Sequence, residues 1–462
     1  MSRTLRLALA LALILCPAVA WAHAHLKRSE PAGGALVTRS PQVIRLWFTE
    51  RPELSMTAIS LKDENGKIFS LSAVERDRDD PLMVSLRVTE LLPPGRYMVG
   101  WRSAGSDGHP SRGTFSFVVL AQAPVRANGS VPHVNVGTDT IGGGTATADS
   151  STRSDNEEAS EAASSIGNSL ARTFSFVGLL VLIGVAAFRT LVLPRTRGIN
   201  VEMKVRMEQR AAVLGLAASL LVILGALARL SLMSQMMNAM PDMQTMSMSE
   251  VAMHTRWGFA LKLEVGAALV ALVAFALAAR GLRVAWLAAG ISAIVLAVTP
   301  ALAGHAAATQ GFTSLMIGTD FLHVLGGATW LGSLLTVMVV GVPLALALEG
   351  TERWSGVASL VNSFSPIALA SAALVVVSGV IASWVHLEHL SALWQTAYGR
   401  VLLLKLFLVA TTLGIGAYNF RRVQPQLVTE LGTARLRRSA AVELSVGFLI
   451  LLVTGFLTGI SP

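Results

Sequence analysis

Gly318-Thr-Asp-Phe-Leu-His-Val-Leu-Gly-Gly-Ala-Thr-Trp-Leu-Gly332 lies in the first half of an apolar segment, residues 314–345, that is long enough to cross a bilayer. Asp320 and His323 are three residues apart, so a helix places them on one face, and Gly327 and Trp330 continue that stripe. Ionisable residues within a membrane helix are costly and indicate a functional site. The pair is predicted to bind a metal ion; the alternative is a polar contact that only holds helices together.

The composition indicates a membrane protein. Of 462 residues, 53% are hydrophobic and only 14% are charged. The net charge of +9 would also suit nucleic-acid binding, but the basic residues stand in short loops between apolar spans, so no nucleic-acid partner is expected. The one cysteine, Cys16, lies in the leader, so the mature chain is expected to have no disulfide and no cysteine-based metal site.

Residues 1–22 have the pattern of a secretory signal peptide that ends in the cleavage motif Ala20-Trp-Ala22. Residues 23–120 alternate apolar and polar positions between turn residues, which predicts a small β-sandwich. Its strand-like runs are residues 43–48, 58–61, 83–88, 96–101 and 113–119. Residues 121–168 have too little large apolar surface to fold and are predicted to be a flexible linker.

Residues 169–462 are predicted to form a polytopic α-helical membrane domain with eight transmembrane helices. The expected spans are residues 173–193, 211–232, 257–279, 284–303, 314–345, 357–384, 399–420 and 440–460. The loops after the first, third, fifth and seventh spans carry most of the basic residues, which assigns those loops to the cytoplasm. Together with the signal peptide, this predicts an inner-membrane protein whose N-terminal domain is periplasmic.

Two further patterns lie within the spans. Thr255-Arg-Trp-Gly258 opens the third span and Thr396-Ala-Tyr-Gly399 opens the seventh, which indicates either two four-helix halves or a chance similarity. Lys262, Glu264 and Lys405 fall in the hydrocarbon layer. They are expected either to form an internal ion pair or snorkel to the surface, or to line a path between helices.

All histidines of the membrane part fall on the outer side in this topology. They are His254, His305, His323, His386 and His389. Imidazole and carboxylate suit several transition metals, copper among them.

The outer loop between the second and third spans narrows the choice of metal. Residues 233–253 contain eight of the sixteen methionines, with polar neighbours and no helical apolar period. Thioethers favour Cu(I), so the run is predicted to capture that ion; the alternative is an apolar lip on the membrane. The candidate ligands are Met236, Met240, Met243, Met246 and Met248, with His254 and His305 nearby.

The sandwich offers a different set of donors. His23, if cleavage frees it, supplies an α-amine and an imidazole, and Asp107-Gly-His109 stands in a Gly-rich loop. One amine, two imidazoles and a carboxylate form a nitrogen–oxygen set that favours Cu(II). The alternative is an exposed terminus and a polar turn.

Residues 23–120 resemble the CopC family of periplasmic copper carriers, and residues 170–462 resemble the CopD family of inner-membrane copper proteins. The CopC motifs are His23-Ala-His-Leu26, Ser29-Glu-Pro-Ala32, Arg45-Leu-Trp-Phe48 and Ser106-Asp-Gly-His-Pro110. The CopD motifs are Gly304-His-Ala306, Asp320-x-x-His323, Ala328-Thr-Trp-Leu-Gly332, Tyr398-Gly-Arg400 with Lys405, and Tyr418-Asn-Phe420.

The resemblance implies a CopC–CopD fusion. Its all-β, cupredoxin-like Greek-key sandwich would bind Cu(II) through His23, Asp107 and His109, and its membrane part would move copper towards the cytoplasm. The methionine-rich segment of some CopC proteins is missing from this sandwich, so a Cu(I) role passes to residues 233–253. The expected partners are copper ions, the lipid bilayer and copper chaperones of the periplasm or cytoplasm. No enzymatic activity is expected.

Three alternative functions stay open. Histidines on membrane helices also suit a haem-binding oxidoreductase, although they lie near one face only. An N-terminal histidine with a second histidine can form the copper brace of an oxygenase. A passive periplasmic copper buffer would use its spans only as an anchor.

Overall fold

The computed structural model describes residues 26–105, 110–121, 155–238, 247–304, 312–387 and 389–459. The chain separates into two compact units. One contains the β-strands together with Ser234–Ser247, and the other contains the remainder of the helices.

The strands form two four-stranded sheets, which confirms the predicted sandwich. The sheet orders are β1-β3-β6-β5 and β2-β8-β7-β4. The strands are β1 Leu26–Glu30, β2 Leu36–Val37, β3 Val43–Phe48, β4 Ala58–Asp63, β5 Glu75–Arg76, β6 Met83–Arg87, β7 Gly95–Ala104 and β8 Pro110–Val119. Because β3 pairs with β1 and β6 while β4 pairs with β7, the chain crosses between the sheets, as in a Greek key.

The core of the sandwich forms from the alternating residues that the sequence predicts. Ile44, Leu46 and Phe48 of β3 are fully buried, and the ring of Phe48 meets Trp101 of β7 edge to face at 5.4 Å. Tyr97 is buried as well, and its hydroxyl donates to the carbonyl oxygen of Pro93 at 2.7 Å. This burial, with a smaller contribution from Asp63, raises the pKa of Tyr97 above its ordinary value.

The second unit is helical. Its α-helices are Asp155–Ala187, Val201–Met237, Met248–His254, Arg256–Ala279, Ala285–Ala303, Thr313–Gly327, Ser333–Thr336, Val342–Leu346, Glu352–His386, Ala392–Gln395, Ala397–Tyr418 and Glu430–Leu457. Wider π turns interrupt the long helices at Phe188–Val192, Ala328–Gly332, Val337–Gly341 and Asn419–Val423. The first helix begins inside the segment predicted as linker, because residues 156–165 are rich in the helix formers Ala and Glu. Residues 122–154 lie outside the described part of the chain.

Eight helical segments of the described chain are long and apolar enough to cross a membrane, as the sequence predicts. We call them spans 1 to 8. They are Ile166–Arg195, Val201–Met237, Arg256–Ala279, Ala285–Ala303, Thr313–Leu346, Glu352–Val385, Ala397–Gln426 and Glu430–Leu457.

Threonine caps begin three of these spans. Thr255 accepts a hydrogen bond from the backbone N–H of Gly258, and Thr396 does the same for Gly399. A third copy, Thr429 with Gly432, begins span 8. The motif that recurs in the sequence is therefore explained by local capping and does not by itself indicate two halves.

Span 1 and span 5 cross at two glycines. A Cβ atom built on Gly184 would overlap the backbone of Gly332, and one built on Gly332 would overlap the carbonyl oxygen of Leu180. Only glycine permits this approach of two helix backbones. The crossing fixes the middle of span 5, which carries Trp330 and lies one to two turns beyond His323.

We expect Gly332→Ala to destabilise the protein by about 1–3 kcal/mol, because two backbones must separate to admit one methyl group. Thermal unfolding of the full-length protein in detergent measures the effect. Gly318→Ala is the matched control on the same span, since nothing lies within 4 Å of its added Cβ. Equal unfolding midpoints for the two variants would contradict this close packing.

Candidate metal centre

Span 5 positions both residues of the predicted membrane site. Asp320 and His323 lie in the helix Thr313–Gly327, three residues apart, and both are half-buried. They therefore share one side of the helix.

His323 faces span 6. Its Nδ1 lies 3.0 Å from Ser378 Oγ, and a Cβ atom built on Gly379 would lie 3.4 Å from its Cε1. The Ser378 hydroxyl donates its one hydrogen to the carbonyl of Leu374 at 2.7 Å, so it accepts from an Nδ1–H of His323. In the neutral imidazole this leaves the lone pair on Nε2, which is the form that binds a metal.

Asp320 interacts with span 7. Its carboxylate has electrostatic interactions with Lys405 and Tyr398, and Lys405 also acts on His323. Lys405 and Tyr398 of span 7 thus lie within electrostatic range of Asp320 on span 5, and Ser378 of span 6 contacts His323. The sequence places Lys405 in the hydrocarbon layer but does not identify its partner, because the two residues are 85 positions apart.

Glu264 forms an internal ion pair. Its Oε2 lies 2.5 Å from Nη2 of Arg229 on span 2; Glu264 is buried and Arg229 is half-buried. Lys262 is exposed instead, with its Nζ 3.8 Å from the sulfur of Met253. The sequence marks Arg229 only as one charged residue within an apolar span, which does not reveal its partner.

The methionine-rich run differs in part from its prediction as a loop without helical period. Span 2 continues to Met237, so Met233 and Met237 are buried on a helix and act as core residues. Met236 lies on the same last turn and is half-buried, whereas Met248 begins the short helix Met248–His254 and is exposed. Met240, Met243 and Met246 lie outside the described residues.

The positions of the remaining histidines do not identify a further metal ligand near Asp320 and His323. His254 ends the helix Met248–His254, and His389 is exposed after span 6. His305 lies outside the described residues. In the part of the chain that the structure describes, no three or more His, Cys, Asp or Glu side chains gather closely enough to hold a metal ion. An ion at Asp320 and His323 would therefore need donors of other types, such as thioether, phenol or water.

The described residues that adjoin the predicted Cu(II) ligands in the sequence lie at one end of the sandwich. Leu26 pairs with Phe48, whose ring meets Trp101, and Trp101 stands three residues before the end of β7 at Ala104. The loop from β7 to β8 begins there, since Ala104 pairs with Pro110. His23, Asp107 and His109 themselves lie outside the described residues.

The strand-containing unit includes a buried arginine at the same end of β7. Arg102 is buried, and its Nη1 donates to the carbonyl oxygen of Met237, in the segment Ser234–Ser247 of that unit, at 2.5 Å. Burial lowers the pKa of Arg102 below its ordinary value.

Comparisons with known proteins match copper resistance families to both the strand-containing and the helical parts of the chain. The CopC domain family matches residues 26–120. The Copper resistance protein D-like N-terminal domain matches residues 163–315, and Copper resistance protein D matches residues 358–457. The chain is 22% identical to the copper transport protein CutJ of Bacillus subtilis over 451 residues, which is 96% of this chain and 75% of CutJ.

Two relatives match the sandwich alone. Protein YobA of Escherichia coli strain K12 is 33% identical over 120 residues, which is 26% of this chain and 96% of YobA. The crystal structure of CopC from Methylosinus trichosporium OB3b is 28% identical, with a TM-score of 0.21, and covers 22% of this chain and 99% of its own. With CopC and CopD matches in this order on one chain, the protein belongs to the copper resistance proteins that join a CopC domain to CopD membrane segments.

Proposed function

We propose that this protein imports copper across the inner membrane. The sandwich captures Cu(II) in the periplasm, and the membrane helices take the ion inward past Asp320 and His323. The relative CutJ is named a copper transport protein, which supports transport over passive buffering. Eight spans with polar groups between them also exceed what an anchor needs.

The observation that carries this proposal is the orientation of His323. Ser378 holds the Nδ1–H, so the lone pair of Nε2 is available to a metal beside a carboxylate on the same helix. The side chain faces span 6 rather than lipid, as a site on a path between helices requires.

Lys405 gives this site a way to exchange cations. Its amino group lies within electrostatic range of Asp320, so a protonated Lys405 would balance the carboxylate when no copper is bound. An arriving copper ion would replace that interaction, and Lys405 would regain it when the ion leaves. Transfer through the site then avoids an isolated carboxylate in the membrane.

The positions of Leu26 and Ala104, which adjoin the expected ligands in the sequence, support capture of Cu(II) at the sandwich. His23 precedes Leu26 by three residues, and Asp107 follows Ala104 by three. Three residues reach about 10 Å at most. The positions of Leu26 and Ala104 at one end of the sandwich are the observation that supports one shared Cu(II) site. Met236 and Met248, with Met240, Met243 and Met246 between them in the sequence, are proposed to bind copper that reaches the membrane already reduced as Cu(I).

We expect Ser378→Ala to reduce copper uptake by about 10- to 100-fold, because loss of the hydroxyl frees the imidazole to turn and change tautomer. Uptake into proteoliposomes, with Cu(I) and Cu(II) supplied separately, measures the change. Ser378→Thr keeps the hydroxyl and should restore uptake.

Ser365→Ala is the matched control, since Ser365 lies on the same span and bonds a backbone carbonyl in the same way. Uptake equal to the wild type in Ser378→Ala would remove His323 from the pathway.

The double variant Asp320→Ala/His323→Ala should abolish the copper accumulation that the wild type confers on cells. Both donors are removed, and no other described histidine lies on span 5 to replace them. Total cellular copper, normalised to protein in the membrane, is the measurement. Unchanged copper content would rule out transport through this pair.

At the sandwich, His109→Ala should weaken Cu(II) binding about 100-fold, the cost of one ligand in a four-donor site. Calorimetry of the full-length protein in detergent measures the affinity. Glu64→Ala removes an exposed carboxylate next to Asp63, at the opposite end of β4 from Ala58 and Arg102, and should have no effect. Equal affinities in both variants would contradict the predicted ligand set.

A further inference from the structure

Glu443 is a buried carboxyl group in span 8 that copper binding as proposed does not use. Only 3% of its surface is exposed, and it lies within the helix Glu430–Leu457. A carboxylate in an apolar interior loses several kcal/mol of solvation unless a cation pairs with it. Its surroundings therefore indicate which form of the group the protein accommodates.

Two neutral donors hold Glu443. Trp330 Nε1 of span 5 donates to Oε1 at 3.3 Å, and Asn419 Nδ2 of span 7 donates to Oε2 at 3.1 Å. Gly416, also on span 7, leaves room beside Oε1, since a Cβ atom there would lie 3.8 Å away. Three spans thus meet at one carboxyl group without supplying a positive charge.

Asn419 can serve both protonation states of this group. Its Nδ2 donates to the ionised carboxylate, while its Oδ1 is buried and has no hydrogen-bond partner among the described residues. Rotating the amide by 180° presents Oδ1 to the O–H of a protonated carboxyl. A group that only fixed helices in place would need one of these arrangements, whereas a group that gains and loses a proton needs both.

Among the described residues, none of the titratable groups on span 8 or on the spans packed against it forms an ion pair with Glu443. Span 1 is one of these spans, since a Cβ atom built on Gly455 would meet Thr173. The groups are Arg172, Arg189 and Arg195 on span 1, Asp320 and His323 on span 5, Glu352 and Arg353 on span 6, Tyr398, Arg400, Lys405, Tyr418, Arg421 and Arg422 on span 7, and Glu430, Arg435, Arg437 and Arg438 on span 8. Arg421 and Arg422 are exposed.

Glu264 shows the contrasting arrangement in the same protein. It is also a buried carboxyl group on a span, but Arg229 lies 2.5 Å away and supplies the opposite charge. That pair has its charges balanced without a proton. Glu443 has no such cation, so a proton is the species that neutralises it.

The carboxyl group is linked to the candidate copper site through span 5. Trp330 follows His323 by seven residues on that span, a distance of about 10 Å along the helix axis. We propose that Glu443 is a proton-binding site, and that its protonation is coupled to passage of copper through the Asp320–His323 site. The coupling rests on the proposed transport function. The step is uptake and release of one proton by the carboxyl group, with no redox change.

Infrared difference spectra of the full-length protein, recorded between acid and alkaline pH, test proton binding without transport. Beside the bands of the other carboxyl groups, which the variants share with the wild type, one further carboxylic-acid C=O band should appear on acidification and be missing in Glu443→Gln. The glutamine keeps the shape of the side chain, the acceptor for Trp330 and a partner for Asn419. Glu264→Gln is the matched control and should retain the band. A band that persists in Glu443→Gln would overturn the proposal.

A second variant covers the case in which Glu443→Gln does not fold. Asn419→Ala keeps the carboxyl group but removes the amide that serves both of its states. The band should remain in this variant and appear at a different pH from the wild type. An unchanged pH dependence would overturn the role of Asn419 and with it the two-state site.

Proteoliposome uptake with and without a pH gradient tests the coupling. The gradient should change the rate of copper uptake by the wild type several-fold and leave that of Glu443→Gln unchanged. The same response in both proteins would overturn the coupling. A wild type that takes up no copper would overturn the proposed function and the coupling together, while the infrared band still decides whether Glu443 binds a proton.

Discussion

Ionisable side chains between membrane helices must find partners on neighbouring helices, because lipid offers none. This constraint explains the contacts that matter most in the helical unit. Arg229 and Glu264 join spans 2 and 3 as an ion pair. His323 is held by Ser378 across spans 5 and 6, and Lys405 accompanies Asp320 from span 7. Ser378 and Lys405 are also the partners of the two residues at the proposed copper site.

The constraint separates two kinds of buried acid. A carboxylate with an arginine beside it has a fixed charge and holds two helices together. A carboxyl group among neutral donors, such as Glu443 with Trp330 and Asn419, can change its charge within an unchanged framework. Transport of a cation through an apolar layer requires sites of the second kind as well as ligands, since each added charge must be balanced locally.

Much of the fold follows from the sequence because it rests on local patterns. Alternation in residues 43–48 gives β3 with Ile44, Leu46 and Phe48 buried, and eight apolar runs give eight spans. Short strands such as Leu36–Val37 were missed because two residues carry no periodicity. The second span was predicted to end at residue 232, and its last turn, with Met233 and Met237, was missed because polar residues such as Ser234 hide the helical pattern that packing reveals.

The candidate site was predictable only in part. Asp320 and His323 stand out as charged and polar residues on one turn of an apolar span. Ser378 and Asn419 do not, because small polar residues are common on membrane helices and their partners lie 55 and 24 positions away. Pairings of this kind depend on how helices cross, which no local pattern records.

The π turn at Ala328–Gly332 has a consequence for how span 5 tolerates change. A π turn holds one residue more than an α-helical turn while the chain completes about the same rotation. Loss of one residue inside this turn would let the helix close to regular α geometry and keep the two parts of span 5 in register. Loss of one residue elsewhere in the span would rotate everything beyond it by about 100° and separate Asp320 and His323 from the side of the helix that continues to Trp330. Span 5 therefore accommodates a change in its length at this turn better than at any regular turn.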